Sequence, residues 1–164
     1  MSQCHPIAFN AAATTSTRRG VCPSLAAPMQ TGDGLLTRLR PLGGSLTPEQ
    51  FACIASEAMR HGNGILEITA RGNLQVRGLT ADSAPLFSDA VLAMDLPLAS
   101  GVAIETPPLS GLDPDELTDA RGLAAELAEA VAACEPPLAL AAKLSITVDG
   151  GGRFDLGGVA ADIR

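Results

Sequence analysis

Four arginines stand where one strand surface could gather them. Arg38 and Arg40 are two residues apart in the run Leu35-Leu36-Thr37-Arg38-Leu39-Arg40, Arg71 lies in Ala70-Arg71-Gly72-Asn73, and Arg77 follows Gln75 by two. A guanidinium is a planar fork of donors that meets a carboxylate in bidentate fashion, so several forks on a rigid surface suit a ligand with many carboxylates. Without an anion the same charges repel one another, less so where water screens them. The plain alternative is a solvated strand face, since exposed arginine is common. Spacing alone leaves the two readings level.

The other chemistry-bearing residues do not assemble into a catalytic set. His5 falls in an aperiodic leader and His61 at a helix end, where it reads as a capping cation rather than a metal ligand. Cys4, Cys22, Cys53 and Cys134 are scattered singly, which indicates neither a disulfide framework nor a metal knuckle. No Ser or Cys has a base partner in view. Arg18 and Arg19 precede Gly20-Val21-Cys22-Pro23, and Gln30-Thr31-Gly32-Asp33-Gly34 leads into the first strand. These glycines could bring backbone N–H groups toward an anion, although a turn is the simpler use. Asp149-Gly150-Gly151-Gly152 has no helix signal after it and reads as a hairpin turn, not a phosphate loop.

A chain of 164 residues, 46% hydrophobic, suits one domain or one domain with part of a second. With no Trp, no Tyr and four Phe, its core must be aliphatic. The formal charge of −7 is uneven: residues 1–81 carry seven Arg against four acids, and residues 82–164 carry four basic residues against fourteen acids. A basic half inside an acidic protein suits a local anion site and argues against nucleic acid as partner. No apolar run reaches the ~18 residues of a membrane span. The start has no basic segment followed by an apolar stretch, so a cytoplasmic protein with no membrane partner is expected.

The elements that must position these residues are legible in outline. Residues 1–19 read as a mobile leader, with order from about Gly20. A strand over 35–40 places Leu35, Thr37 and Leu39 on one face and Leu36, Arg38 and Arg40 on the other. Thr47-Pro48-Glu49-Gln50 marks a helix start, with Thr47 as N-cap, Pro48 at the first helical position and Gln50 closing a capping box. Phe51, Ile54, Ala55, Ala58 and Met59 then share a face, and Gly62 is expected as a left-handed stop. Strands over 65–69 and 74–78 flank the turn 70–73; in the second, Leu74 and Val76 face away from Asn73, Gln75 and Arg77. A helix over 82–93 completes the order strand, helix, strand, strand, helix, which fits an α+β sandwich with its helices on one side of the sheet.

Pro, Gly and Ser collect over 96–108 and predict a boundary. Beyond it, Asp113 and Pro114 open an acidic, Ala-rich helix to about Cys134, and strands over 144–148 and 153–156 flank the glycine turn. A lone helix with two strands makes a poor independent domain, so residues 99–164 read as the opening of a domain whose remainder lies elsewhere.

The run from Arg19 to Leu36, including Arg19-Gly20-Val21-Cys22-Pro23 and Gln30-Thr31-Gly32-Asp33-Gly34, resembles the opening of precorrin-3B synthases. Arg38-Leu39-Arg40-Pro41, His61-Gly62-Asn63-Gly64 and Glu67-Ile68-Thr69-Ala70-Arg71-Gly72-Asn73-Leu74-Gln75-Val76-Arg77-Gly78 follow in that family's order. More broadly the chain is similar to the ferredoxin-like half domain of the sirohaem nitrite and sulfite reductases. The resemblance implies such a half domain over 20–98, followed over 99–164 by the start of a second α+β domain of the nitrite/sulfite reductase type. It implies that Arg38 or Arg40, Arg71 and Arg77, with Asn73 and Gln75, line a pocket for a carboxylate-rich tetrapyrrole. Lys143 matches a lysine that reaches toward the bound anion in the reductases. Ala141 stands where a proline is common and Leu144 where Phe is common, so a strand-edge lysine stays as its other reading.

The ligand the resemblance implies is precorrin-3A, and the reaction is its oxygen-dependent hydroxylation and lactone formation in cobalamin biosynthesis. That chemistry uses a 4Fe–4S cluster and a further, non-haem iron. The cluster's cysteines come from a later part of such chains, so none of Cys4, Cys22, Cys53 and Cys134 inherits the role. The 164 residues alone are expected to lack cluster and turnover, and to need a missing C-terminal half or a split partner chain. Two alternatives stay open: a fragment of a sirohaem-dependent nitrite or sulfite reductase, and a non-catalytic tetrapyrrole-binding module.

Overall fold

The structure, a computed structural model, describes residues 23–141 and 143–164. The leader at 1–19, the arginine pair Arg18 and Arg19, His5, Cys4 and Cys22 lie outside the described residues.

Four strands form one antiparallel sheet in the order β1-β2-β4-β3: β1 (Met29–Thr31), β2 (Gly34–Leu39), β3 (Leu66–Ile68) and β4 (Leu74–Leu79). Two helices, α1 (Pro48–His61) and α2 (Ser83–Ala93), pack on each other and on one face of the sheet. Leu39, Leu74, Val76 and Leu79 from the sheet meet Ile54, Ala58, Phe87 and Val91 from the helices in a single apolar cluster, aliphatic as expected except for Phe87, its largest fully buried side chain. Each of these side chains larger than alanine contributes about 1.5–3 kcal/mol by leaving water. The expected α+β order is present, with β1 added: a two-residue turn at Gly32 and Asp33 folds 29–31 back on β2, and three residues are too short to signal a strand.

The helix start at Thr47 is as the residues dictate. The Thr47 hydroxyl accepts from the Gln50 amide N–H, and the Gln50 side chain accepts from the Thr47 N–H. The buried face of α1 is narrower than expected. Ile54 and Ala58, one turn apart, carry the contact, whereas Phe51 and Met59 are 39% and 75% exposed. Met59 points about 100° around the axis from Ala58. Gly62 is not the left-handed stop that the sequence suggests. Its φ is −120°, and it is glycine because a Cβ would come 2.4 Å from the Arg77 carbonyl oxygen.

β2 and β4 pair Thr37 with Val76 but Leu35 with Leu79, so β4 carries one extra residue. Gly78 (φ 70°) takes that bulge, and the phase shift returns Leu79 to the core while Gln75 and Arg77 stay on the far face.

The chain after α2 is tied to the end of β2. Pro41 bridges Leu98, and the Ala99 N–H donates to the Arg40 carbonyl. The stretch 96–108 then holds β5 (Ala103–Glu105), which pairs in parallel with β6 (Ser145–Thr147). The helix expected from Asp113 begins later, as α3 (Ala120–Ala132). The Asp113 carboxylate accepts from the Asp115 and Arg153 amides and closes a turn, and Asp119 becomes the cap, its carboxylate accepting from the Arg121 N–H. Residues 153–156 form no strand and the glycine segment no hairpin, because the Asp149 carboxylate accepts from the Gly151 and Leu156 amides and curls the segment on itself. Among the described residues no helix is long and apolar enough to cross a membrane.

Thr37 is 1% exposed and its hydroxyl has no partner among the described residues. Thr37→Val keeps the branched shape and removes an uncompensated polar group. It should stabilise the chain by about 1 kcal/mol and raise Tm by about 2–4 °C, read by urea and thermal unfolding.

Candidate anion-binding site

On the sheet face opposite the helices, register brings three polar residues into one row. Glu67 on β3 pairs with Gln75 on β4, and Gln75 pairs with Arg38 on β2. The Gln75 carboxamide is oriented by its neighbours: its oxygen accepts from Arg38 Nε (3.1 Å) and Nη2 (2.6 Å), and its nitrogen donates to Glu67 Oε2 (3.2 Å). The row continues diagonally to Arg77. Its Nη1 reaches Glu67 Oε2 at 2.9 Å, and its Nε and Nη2 grip both oxygens of Asp33 at 2.9 Å.

Arg77 is therefore tied into ion pairs, an arrangement its strand position does not reveal. All three of its bonding nitrogens are committed to two carboxylates within the half of the chain that carries it. The Asp33 fork and then Glu67 push its guanidinium above its already high range. Reciprocally, Arg77 first and the Thr31 hydroxyl second hold the Asp33 carboxyl well below the usual carboxylate range.

The other cations converge. A hollow of about 710 Å³ is lined by Arg38, Arg40, Arg71 and Lys143, with Asn73 beside them. Arg40 comes from the end of β2, where its Nη2 donates to the Gly101 carbonyl (2.7 Å). Arg71 and Asn73 come from the turn between β3 and β4, which the Thr69 hydroxyl closes by accepting from both of their amides. Lys143 reaches the hollow from the approach to β6. Glu105 is the acid in this wall; it ends β5 and its carboxylate accepts from Arg71 Nη1 at 3.0 Å. A second hollow of about 540 Å³ shares Arg40, Arg71, Asn73 and Glu105, and its remaining lining combines Leu98, Ile104 and the alanines of α3 with the charged residues Arg121, Glu129 and Asp155. Of the seven residues expected at the site, five line the cationic hollow, Gln75 stands behind Arg38, and Arg77 faces elsewhere. Glu105 was missed because a three-residue strand inside a Pro- and Gly-rich stretch gives no periodicity.

A family described as the nitrite/sulfite reductase ferredoxin-like half domain matches residues 27–94. The chain carries this half domain. The match runs from β1 through α2, so the half domain supplies Arg38, Arg40, Arg71 and Asn73, while Lys143 and Glu105 lie beyond it. The precorrin-3B synthase of Sinorhizobium sp. is 55% identical over 159 residues, covering 97% of this chain and 35% of that protein. The ferredoxin–nitrite reductase of Synechococcus elongatus is 32% identical over 126 residues, 71% of this chain and 25% of that protein. That of Oryza sativa subsp. japonica is 37% identical over 92 residues, 52% of this chain and 15% of that protein. The chain thus spans about a third of the synthase it matches and a quarter or less of these reductases. In structure it is similar to dissimilatory sulfite reductase I, with TM-score 0.55 and 15% identity over 71% of this chain and 28% of that one, a likeness of fold alone.

Among the described residues no group of three or more His, Cys, Asp or Glu side chains is placed to hold a metal. Cys53 lies exposed on α1 and Cys134 just past α3, each a single free thiol. Two isolated thiols do not fit an iron–sulfur cluster, which needs four.

The depressed Asp33 carboxyl gives a signed pH dependence. A carboxylate whose folded pKa lies below its unfolded value of ~3.9 adds stability above that value and loses it as pH falls toward the folded one. The stability gap between the native chain and Asp33→Asn should stay constant from about pH 7 to 5 and close below about pH 4, as read from urea midpoints.

Proposed function

We propose that this chain is the segment of a cytoplasmic precorrin-3B synthase that grips the acetate and propionate arms of precorrin-3A. The observation that carries the reading is the convergence of Arg38, Arg40, Arg71 and Lys143 on one hollow. Four cations against the single carboxylate of Glu105 leave an excess of positive charge, and a polycarboxylate relieves it while filling several guanidinium forks at once. The adjoining hollow offers the ring body the apolar side chains of Leu98, Ile104 and the α3 alanines beside Arg40 and Arg71. In this reading Arg38, Arg40 and Arg71 bind and orient, and Lys143 adds a point charge from outside the half domain. The hydroxylation and lactone formation draw on a 4Fe–4S cluster and a further iron held by residues other than those described. The likeness to the Sinorhizobium synthase, over nearly the whole chain, favours this over a sirohaem-dependent reductase. The nitrite reductase matches keep the latter as the second reading, in which the same cations would hold the carboxylates of sirohaem.

A chimera tests the choice. With this chain in place of the matching segment of the Sinorhizobium synthase, precorrin-3A and oxygen should yield the hydroxylated lactone. Arg38→Gln and Arg71→Gln should each lower kcat/KM by about tenfold. A folded chimera that makes no product, or that instead binds sirohaem and reduces nitrite or sulfite, would overturn the proposal.

A further inference from the structure

We infer that Gln75 is a positioning residue for Arg38: a neutral spacer that fixes the guanidinium without cancelling its charge. The inference rests on the anion-binding reading above for its consequence, though not for its geometry. Gln75 does not line the cationic hollow, whereas Arg38 does. The carboxamide sits at the centre of a row set by strand register, with Glu67 on one side and Arg38 on the other. Only one orientation of an amide satisfies both neighbours, the NH2 toward the carboxylate and the oxygen toward the guanidinium, at 3.2 Å and at 3.1 and 2.6 Å.

The two ends of the row differ. Glu67 is held by Arg77, and Arg77 by both oxygens of Asp33 in the β1–β2 turn. Negative and positive groups therefore alternate from Asp33 to Glu67, and the amide dipole passes that order on to Arg38. A carboxylate at position 75 would complete a salt bridge with Arg38 and lie beside Glu67, quenching the cation and adding a repulsion. An apolar side chain would leave Nε and Nη2 without their acceptor and let the long side chain wander. The amide is the side chain of this length that orients the fork and keeps its full charge for the hollow.

The test uses the full chain with uroporphyrin III, a macrocyclic octacarboxylate, as probe. Gln75→Met should weaken binding by about fivefold and Gln75→Glu by about tenfold or more, the range of a lost or misdirected charge-assisted hydrogen bond. Neither substitution should change affinity in an Arg38→Gln background, and both variants should unfold cooperatively. Independently of any ligand, the Arg38 Nε–H resonance should persist near pH 7 in the native chain and be lost to solvent exchange in Gln75→Met. Equal losses with and without Arg38 would make Gln75 a direct contact and overturn the inference, as would an unaltered Arg38 resonance. If the native chain binds no uroporphyrin III while Arg38 still loses its signal in Gln75→Met, the positioning role stands and the anion-binding reading falls.

Discussion

Arginines can share one face of a small sheet only if each is held by something other than its neighbours, and that constraint organises this chain. Arg77 is held by two carboxylates and is electrically spent. Arg38 is held by a neutral amide and keeps its charge. Arg40 is anchored in part on a backbone carbonyl and Arg71 on Glu105. Sequence spacing cannot tell an arginine paired with carboxylates, such as Arg77, from one oriented by a neutral amide, such as Arg38.

The apolar cluster beneath the sheet matters to the site through register. Leu74 and Val76 must face α1 and α2, which fixes Gln75 and Arg77 on the opposite side. The bulge at Gly78 absorbs the extra residue of β4 beyond that point, so the row Glu67, Gln75, Arg38 stays aligned. The hollow itself is not contained in the half domain. Its outer wall comes from β5 and the approach to β6, joined by a parallel pairing between residues some forty positions apart in sequence.

Much of the half domain was legible because its signals are local. The capping box at Thr47, the alternation of 74–77 and the periodicity of α1 are carried by adjacent residues. What escaped was non-local or short. Asp33 engages Arg77 from 44 positions away, and nothing in the spacing of Arg77 shows it. β1 and β5 have three residues each, too few for any period. The start of α3 was misplaced because Asp113 spends its carboxylate on a turn, while Asp119, lacking a following Pro, makes the cap. The grouping of Arg38, Arg40 and Arg71 could be anticipated from strand faces. Lys143 came only through the resemblance, and Glu105 not at all.

Under the proposed reading, Arg38, Arg40, Arg71 and Lys143 act together on one polyanion while Arg77 does not. Side-chain chemical shifts of this chain, followed as uroporphyrin III is added, test it most directly. The Nε–H signals of Arg38, Arg40 and Arg71 and the Nζ signal of Lys143 should move along one saturation curve, with Arg77 and Arg60 unmoved. Shifts spread over all the arginines, or centred on Arg77, would contradict it.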